Sequence, residues 1–432
     1  MSEWVTRPLS VLADVRVSNV DKKSLPGEKP VLLCNYMDAY ANDYIRSDIA
    51  FMEATASAAE IAKFKVDVGD VVVTKDSETP DDIGIPAVVT EQIDNLVCGY
   101  HLALLKTRKE FVDPVFLCKQ LGSHEAARYF GQRAAGSTRY GLSNGALANF
   151  PVSLPGLPKQ RKIATILSGI DTAIEKTEAL IAKYQQIKAG LMHDLFTRGV
   201  LPNGQLRPSR EQAPELYQET AIGWIPREWD VKPCADLCSR ICVGIVIQPT
   251  QYYVEDGVPA LRSANVREDG IDPNNFVYIS AGANRLLAKS QVKTGDIVSV
   301  RTGYPGTSAV IPSEFQGANC IDILISTPNE KVISEYLCDW INSSFGKGQV
   351  LRQQGGMAQQ HFNVGEMREL LVALPDLNEQ ERIRGRIKSA SGKLAIEKAL
   401  AEKLQAQKSG LMHDLLTGKV PVKVEEPEVG YG

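Results

Sequence analysis

The stretch GLMHDLFTRGV at residues 190–200 is written again, with few changes, as GLMHDLLTGKV at residues 410–420. The two copies lie 220 residues apart, and the same offset holds upstream of them. LPGLPKQ at 154–160 corresponds to LPDLNEQ at 374–380, and FLC at 116–118 corresponds to YLC at 336–338. An offset shared over this length indicates a duplicated unit rather than a short solenoid repeat.

Nearer the start of each copy the offset drifts by a few residues, as loop insertions would cause. WVTRPLSVL at 4–12 matches WDVKPCADL at 229–237, and VGDVVVTKD at 68–76 matches TGDIVSVRT at 294–302. The chain of 432 residues is also too long for one ordinary core. It is therefore two copies of one unit, each of roughly 200 residues.

Each copy has a globular part followed by a long helical part. Short β-branched runs at 71–74, 87–90 and 297–300, broken by Gly, Pro and Asp, predict strands and turns in the globular part. In the helical part, apolar positions recur in alternating steps of four and three, with interruptions at Thr177 and Lys188. The first seam comprises Ile163, Leu167, Ile170, Ile174, Ile181, Tyr184, Leu191 and Leu195, and the second Ile383, Ile387, Ala390, Leu394, Ala401, Leu404, Leu411 and Leu415.

Helices of this length, about 60 Å at 1.5 Å per residue, cannot bury one apolar stripe alone. The shared register favours pairing of the two helices within one chain over each helix lying on its own globular part. Pro158 can open the first helix, Asn378 with Glu381 resembles a capping box, and Gly199 and Gly418 are natural stops.

These patterns predict an α+β fold with an internal pseudo-two-fold duplication: two tandem mixed α/β globular domains separated by two long helices that form an antiparallel coiled coil. The predicted boundaries are a first domain at 1–155, a helix at 156–199, a linker at 200–220 that builds no core, a second domain at 221–375, a helix at 376–418 and a disordered tail at 419–432.

Composition sets the broad class. The first residues do not resemble a signal peptide, and no apolar run approaches the ~18 residues of a membrane span, so a cytoplasmic location is expected. A net charge of −4 argues against a strongly basic, free-standing nucleic-acid binder. However, residues 101–150 carry 7 Lys or Arg against 3 Asp or Glu, so a local basic face remains possible.

No catalytic motif is present. The sequence has no phosphate-binding loop, dinucleotide fingerprint, serine elbow or zinc-protease helix. His193 and His413 stand at equivalent helix ends, where interaction with the helix dipole is the simplest explanation. Cys234, Cys238 and Cys242 are evenly spaced, but no second ligand pair follows, which favours buried thiols over a metal site.

The motifs resemble those of the DNA-specificity subunits of Type I restriction-modification systems. The similarity is carried by LPxLxxQ at 154–160 and 374–380, by the repeated helix ends, by AIGWIPREWDV from residue 221, and by Gly-Asp before a strand at 69–70 and 295–296. The first copy departs from this pattern, since it lacks the IGxIP lead-in of 222–226 and has Lys159 where the second copy has Glu379.

The resemblance implies a non-catalytic subunit of a methyltransferase and endonuclease complex. Each globular domain would be a target-recognition domain for one half of a split, asymmetric duplex DNA site, and the helices would space the domains. Two modification (methyltransferase) subunits would dock on the helices, and restriction subunits would join that core. S-adenosylmethionine, ATP and magnesium would belong to those partners, and this chain would bind no cofactor or metal of its own.

Reading DNA requires Arg, Asn and Gln side chains at base edges, and loop tips after strands can supply them. The candidate DNA-contacting residues are Lys75, Arg133, Arg139, Tyr140 and Asn144 in the first copy, and Arg262, Asn265, Arg301, Tyr304, Gln359, Gln360 and His361 in the second. The candidate partner-docking residues are Leu191, Phe196, Leu411 and Leu416.

Two other classes of function stay open on the sequence alone. One is a coiled-coil scaffold whose globular domains bind a protein or sugar ligand. The other is an enzyme whose site follows none of the motifs searched. Salt-dependent binding of duplex DNA by the complex would favour the DNA-reading hypothesis over both.

Overall fold

The computed structural model describes residues 4–353 and 361–424. The chain divides into two compact units, the first comprising Met1–Glu178 and Ala399–Gly432 and the second Ala179–Lys398. Each unit therefore contains one globular part together with a segment of each long helix.

The first unit contains short strands and short helices. Its strands are β1 Val5–Pro8, β2 Ala13–Val17, β3 Lys29–Cys34, β4 Tyr44–Ile45, β5 Met52–Ala56, β6 Val71–Thr74, β7 Asp76–Ser77, β8 Pro86–Val89, β9 Leu96–Cys98, β10 Leu102–Thr107, β11 Tyr140–Gly141 and β12 Pro151–Leu154. Its helices are α1 Leu9–Leu12, α2 Tyr36–Tyr40, α3 Ala58–Phe64, α4 Pro114–Leu121, α5 His124–Gly131 and α6 Asn144–Ala148.

Two sheets form the centre of the first unit. One has the strand order β2-β10-β6-β8-β4, and the other has the order β5-β3-β9. Strands β6 and β8 are buried along their whole length, as their continuous apolar runs VVVT and PAVV require. A separate pairing of β1 with β12 brings the start of the globular part beside its end.

Helix α7, Leu157–Arg198, leads from the first unit into the second. The strands of the second unit are β13 Tyr217–Thr220, β14 Gly223–Pro226, β15 Asp230–Pro233, β16 Cys238–Val243, β17 Tyr253–Val254, β18 Val258–Leu261, β19 Val266–Arg267, β20 Gly270–Ile271, β21 Val277–Ile279, β22 Ile297–Val300, β23 Ser308–Val310, β24 Asn319–Cys320, β25 Ile323–Pro328 and β26 Leu371–Leu374. Its helices are α8 Cys234–Leu237, α9 Ala281–Leu286, α10 Ser334–Asn342, α11 Ser344–Gln353 and α12 Val364–Glu369, and helix α13, Leu377–Leu416, leads back into the first unit.

The two units share one topology. The order β16-β25-β22-β23 repeats β2-β10-β6-β8, and β21-β18-β24 repeats β5-β3-β9. In both units the inner strand pairs antiparallel on one side and parallel on the other. The pairing of β15 with β26 repeats that of β1 with β12. The predicted α+β fold with an internal duplication is confirmed.

The long helices begin and end within two residues of the predicted bounds. Their apolar seams lie on covered faces, since Ile163, Leu167 and Leu415 are at most 5% exposed within the core of the first unit. In the second unit, Ile383 and Ile387 are equally buried within its core. The globular part of each unit therefore covers the same helix faces for which a partner helix was predicted.

The two helices also contact each other, and in the second unit they run antiparallel. Glu379 and Arg382, near the start of α13, lie beside Val200, just past the end of α7. Residues 391–398, further along α13, share a groove with residues 185–193 of α7. In the first unit, Lys408 of α13 binds Asp171 of α7 at 2.8 Å.

The glutamine of the LPxLxxQ motif attaches each long helix to its globular part. Gln160 accepts from the Asp113 amide at 2.9 Å, and its amide group donates to the Pro155 carbonyl at 2.8 Å. Gln380 makes the same two contacts, with the Ile333 amide at 2.9 Å and the Pro375 carbonyl at 2.9 Å. Both side chains are buried, at 1% and 0% exposure, so the motif fixes how each helix enters its domain.

Glycine ends each long helix because no other residue fits. Gly199 has a φ of +66°, and Gly418 has a φ of +72°. A Cβ on Gly199 would lie 2.5 Å from the Trp229 ring, and one on Gly418 would lie 2.6 Å from the Trp4 ring. The repeated helix ends thus include a tryptophan contact that closes the turn.

The connection at 200–220 differs from the plain linker that the sequence predicts. Arg207 is 4% exposed and pairs with Glu379, which also accepts from the Trp229 indole at 3.1 Å. Tyr217, at 3% exposure, starts the hairpin of β13 and β14. Buried charge pairing of this kind makes the segment part of the second unit, a long-range contact that local composition cannot reveal.

The first residues of the predicted C-terminal tail make contacts with the rest of the chain. The Val420 amide donates to the Asp414 carbonyl at 3.1 Å, and Val422 packs against the core of the first unit. Residues 425–432, where the rest of the predicted tail falls, lie outside the described residues.

The cysteines behave as buried thiols, as predicted. Burial raises the pKa of Cys234 well above its ordinary value, raises that of Cys238 to about 12, and raises that of Cys242 as well. No helix within residues 4–353 and 361–424 is long and apolar enough to cross a membrane.

Candidate nucleic-acid interface

In the first unit, three chain segments meet where strand β6 ends. Lys75, the next residue, donates its amide to the His101 carbonyl at 3.0 Å and accepts from the Leu142 amide at 2.8 Å. Strand β7 continues from there and pairs with β11 of the loop around Tyr140. The strand end and the RYGLSN loop, predicted separately as DNA-contacting regions, are therefore brought together.

An aspartate organises the charges at this end of the sheet. Asp76 binds Lys75 Nζ at 2.9 Å and His101 Nδ1 at 2.7 Å. Burial would raise the pKa of Asp76, but its contacts with His101 and Lys75 outweigh burial and lower it. Lys75 Nζ also lies 5.0 Å from the centroid of the Tyr100 ring, which is 47% exposed. The result is a hydrogen-bonded cluster of polar side chains beneath an exposed aromatic ring.

Helix α2 adds two further aromatic rings beside this cluster. The Tyr36 and Tyr40 rings stack with centroids 5.4 Å apart. Burial and the nearby Asp82 raise the pKa of Tyr36, which also contacts Ser77 of β7, and a hydrogen bond to Asp82 raises the pKa of Tyr40. Both phenols therefore stay protonated and can donate hydrogen bonds.

The second unit has an equivalent site at the end of its own sheet, formed by different side chains. The last residue of β6 lies opposite the first of β10, and the last residue of β22 lies opposite the first of β25. This register gives two pairs of equivalent positions: Lys75 and Arg301 after the strand, and His101 and Asp322 before the next strand. Both His101 and Asp322 have a left-handed backbone conformation, with φ of +70° and +49°.

Arg301 is held at this position by two partners. Its guanidinium contacts the Asp322 carboxylate, and its Nε donates to the Phe362 carbonyl at 3.3 Å. The Phe362 amide donates back to the Arg301 carbonyl at 2.9 Å. Tyr304, at the tip of the loop that follows, is 83% exposed. The strand end, the loop tip and the segment that starts at His361 thus converge here, as their counterparts do in the first unit.

The predicted DNA-contacting residues divide into exposed and enclosed side chains. Arg133, Arg139, Asn144, Tyr304 and His361 are exposed, and Tyr140 is half-buried. The Arg133 guanidinium lies 3.7 Å from the Tyr129 ring centroid. Gln359 and Gln360 lie outside the described residues. The exposed set stays a prediction of DNA contact.

Besides Arg301, three predicted contacts are better explained as supports. Asn265 is fully buried, and its amide group donates to the carbonyls of Asp272 and Asn274, so it shapes a turn and cannot reach a base. Lys75 is 9% exposed and paired with Asp76. Arg262 is half-buried and donates to the Asn275 carbonyl at 2.8 Å.

The sequence analysis did not identify Asp76, nor His101 and Asp322, the two residues with left-handed backbone conformations. Asp76 follows Lys75 in an ordinary TKDS turn, and nothing local marks it. His101 and Asp322 follow CGY and NCI, which do not align by letter. Counting residues back from the repeated strands LALLKT and ILISTP would have revealed that they are equivalent.

The predicted partner-docking residues are mostly enclosed. Phe196 is fully buried, with its ring 5.1 Å from that of Trp340 and 5.6 Å from that of Tyr336, and Leu416 is 4% exposed. Leu191 and Leu411 are half-buried against the cores of their own units. Phe196 and Leu416 are therefore core residues rather than docking residues, because the helix ends turn them towards their own globular parts.

Instead, the repeated helix ends line a groove in each unit. The groove of the second unit has a volume of about 610 Å³, and that of the first about 620 Å³. Their helix walls are formed by residues 220 positions apart: Gln185 and Gln405, Lys188 and Lys408, Ala189 and Ser409, Met192 and Met412, and His193 and His413. In the second unit, the His193 ring stacks on Phe345 at 5.6 Å.

Nothing in the described part of the chain resembles a metal centre, since no group of three or more His, Cys, Asp or Glu side chains is arranged to hold an ion there. At the sheet end of each unit, the charged groups are paired with other groups of the same unit. What they offer is hydrogen-bonding and aromatic surface to an external molecule.

Comparisons with known proteins agree with this architecture. A family model described as a Type I restriction modification DNA specificity domain matches residues 1–186. The putative Type I restriction enzyme MjaX specificity subunit of Methanocaldococcus jannaschii is 26% identical over 373 residues, which cover 84% of this chain and 81% of the relative. The MjaVIII specificity subunit of the same organism is 23% identical over 426 residues, covering 93% and 91%.

Solved structures show the same fold over nearly the whole chain. The S subunit of a Type I restriction-modification system from M. genitalium superposes with a TM-score of 0.57 at 14% identity, covering 95% of this chain and 96% of that one. A chain from a study of complex assembly in a Type I system gives a TM-score of 0.54 at 16% identity, covering 96% and 98%. In sequence and in fold, the chain is thus similar to the DNA-specificity subunits of Type I restriction-modification systems.

Proposed function

We propose that each globular part is a target-recognition domain that reads one half of a split, asymmetric duplex DNA site. The observation that carries the proposal is the equivalent sheet end, where both units gather a cation, a left-handed polar residue and exposed aromatic groups. The major groove presents a distinct pattern of donors and acceptors for each base pair, and side chains of these types read it. Because the equivalent side chains differ between units, the two half-sites must differ in sequence.

Helices α7 and α13 serve as the spacer in this proposal. Each passes from one unit to the other and is about 60 Å long at 1.5 Å per residue. A paired helical spacer cannot stretch by one base-pair step, so the number of unread base pairs between half-sites should be fixed while their sequence is free.

The partners follow from the absence of catalytic motifs. We propose that two methyltransferase subunits dock on the chain, that restriction subunits join them, and that S-adenosylmethionine, ATP and magnesium are bound by these partners. The relatives are named as specificity subunits of restriction enzymes, and one structural neighbour comes from a study of complex assembly.

A domain exchange tests the division of labour between the units. Replacing residues 1–150 with those of a relative of different specificity should change one half-site and leave the other half-site and the spacer length unaltered. The measurement is sequencing of methylated bases in DNA from cells that carry the complete system. Exchange of the same residues with those of a relative of identical specificity is the control. A continuous target, or a change in both halves together, would contradict the proposal.

The two grooves are the docking sites that this proposal assigns to the methyltransferase subunits. They are duplicated at equivalent positions, as two copies of one partner require. Their exposed walls combine apolar side chains with histidine and lysine, a mixture suited to a helix of another protein. Small exposed residues, Ala189 and Ser409, lie at matching places along the groove walls.

Filling either groove should remove one partner only. Ala189→Arg and Ser409→Arg each place a bulky charge in one groove without disturbing a core, so each should lower the stoichiometry from two methyltransferase subunits per chain to one. The double variant should bind none. Native mass spectrometry of the purified complex gives the count, with Ala182→Arg, exposed on the same helix but outside the groove, as the control. Loss of both partners from one substitution, or of none from the double variant, would disprove the assignment.

A further inference from the structure

The left-handed residue at each sheet end has the properties of a base-reading group. Asp322 has a φ of +49°, a region that Asp and Asn enter more readily than most residues because their short polar side chains tolerate it. Its amide donates to the Ile245 carbonyl at 3.0 Å, which fixes the backbone. Its side chain is 50% exposed. The position is therefore rigid in its backbone and open at its tip.

Arg301 sets the orientation of this carboxylate. The Arg301 guanidinium contacts Asp322 Oδ1 and is itself anchored on the Phe362 carbonyl. Among the residues that the structure describes, Asp322 Oδ2 has no hydrogen-bond donor. One oxygen is thus used to position the group, and the other is available on a side chain that is 50% exposed. Arg301 acts here as a positioning residue.

The two units place unlike chemistry at the same point. The equivalent residue of the first unit, His101, is positioned in the same manner, by Asp76 at 2.7 Å from its Nδ1. In one unit a cation supports an acid that is 50% exposed, and in the other an acid supports an imidazole that is 22% exposed. Both members of the supported pair differ between the units, so the same point of the fold presents different hydrogen-bonding groups.

We propose, on the basis of the proposed function above, that Asp322 is the specificity-determining residue that selects a cytosine in the half-site read by the second unit. A carboxylate only accepts hydrogen bonds, and the cytosine N4 amino group is the donor that acidic side chains read in the major groove. Adenine also offers an amino group, but the adjacent N7 acceptor repels a carboxylate. Guanine and thymine present acceptors at this edge.

Asp322→Asn tests this assignment because asparagine keeps the left-handed backbone and an acceptor for Arg301 while adding an amide donor. An amide pairs with both N6 and N7 of adenine. The variant should therefore shift the preferred base at one position of the second half-site from cytosine to adenine. The preference should change about tenfold or more, in the range of one good base contact. The first half-site should stay as it is.

The experiment uses the complete complex in cells, with methylated positions read by sequencing, followed by binding of purified complex to duplexes of the mapped site. Replacing the mapped cytosine with 2-pyrimidinone, which lacks only the amino group, should weaken binding by the wild-type complex about tenfold and leave binding by the variant nearly unchanged.

The matched control is Asp256→Asn. Asp256 is an exposed acid in the turn before β18, and β18 runs parallel to β24, so this turn lies at the opposite end of their sheet from Asp322. Two outcomes would overturn the inference alone, given a split site for the wild type. In one, the Asp322 variant prefers the same base as the wild type at every position of the second half-site. In the other, the variant loses methylation equally at all sites. A wild-type complex that gives no split site would overturn the proposed function instead.

Discussion

Replacing Lys119 with alanine is expected to lower the free energy of unfolding of the first unit by about 3–5 kcal/mol, the range measured when one member of a buried charge pair is removed. The Lys119 side chain is 4% exposed, and its Nζ lies 2.9 Å from Asp43 and 2.7 Å from Asp171. Burial works against its charge, but Asp43 and Asp171 raise the pKa of Lys119. Without Lys119, the equally buried Asp171 keeps Lys408 and the Tyr44 hydroxyl as its partners within the described part of the chain.

The measurement is native-state hydrogen exchange of amides in strands β6 and β10. The control is Lys162→Ala, an exposed lysine of helix α7 in the same unit, which should change stability by no more than about 0.5 kcal/mol. A double variant that combines Lys119→Ala with Asp171→Asn should lose less than the sum of the two single losses, because the stranded charge is gone. Additive losses, or a Lys119→Ala variant as stable as the control, would show that the network carries little energy.

Asp339→Asn is expected to stabilise the second unit at pH 8 by about 2–4 kcal/mol, since each pKa unit corresponds to about 1.4 kcal/mol. Burial raises the pKa of Asp339 to about 7, helped by Glu335 and opposed by Lys188 and Arg384. An ionised Asp339 is therefore a cost to the folded state. Asparagine has nearly the shape of the protonated acid and does not ionise.

The sign of the pH dependence follows from this raised pKa. The folded second unit holds a proton on Asp339 more tightly than the unfolded chain, whose carboxyl titrates near pH 4. This group therefore favours the folded state fully below about pH 4, and that stability is lost as the pH rises towards about 7. The difference between variant and wild type should grow across that window and stay constant above it. Asp230→Asn, at an exposed position, is the control, and a destabilised Asp339 variant at pH 8 would contradict the expectation.

Much of the fold could be predicted from the sequence because its signals are local or repeated. The heptad seams, the helix-ending glycines and the LPxLxxQ motif each occur twice at a nearly constant offset. Gln160 and Gln380 then make the same contacts in both units, which explains why the motif is retained in both copies. In a duplicated chain the two copies can be compared with each other. This comparison identifies the repeated helix and motif residues without an alignment of relatives.

The errors arise where burial depends on contacts between distant parts of the chain. Phe196 lies near the end of helix α7, where the sequence predicts an exposed docking residue. Trp340 and Tyr336 of the globular part enclose it instead. Arg207 stands in a polar stretch, but its partner Glu379 is 172 residues away. No local pattern contains either contact.

The candidate interface was predicted by region rather than by residue for a similar reason. The strand end and the loop near Tyr140 meet through the pairing of β7 with β11, which brings loops from distant positions together. Asn265 is of a residue type that can contact base edges, but its side-chain amide donates to two carbonyls of its own turn. A left-handed conformation at His101 is also rare for that residue type, so the sequence gives no hint of it.

The charge network around helix α4 limits how such chains can evolve by recombination. Lys119 and its neighbour Gln120, which donates to the Leu416 carbonyl at 2.8 Å, attach the first globular part to both long helices. An imported gene segment would need to bring a cation and an amide at these two places to keep these contacts. The second globular part has Asp339 and Trp340 at the equivalent positions, so a crossover that moved it into the first position would set an aspartate against Asp171. We therefore expect an exchange of the two globular parts with each other to destabilise the chain more than the import of a segment that keeps Lys119 and Gln120.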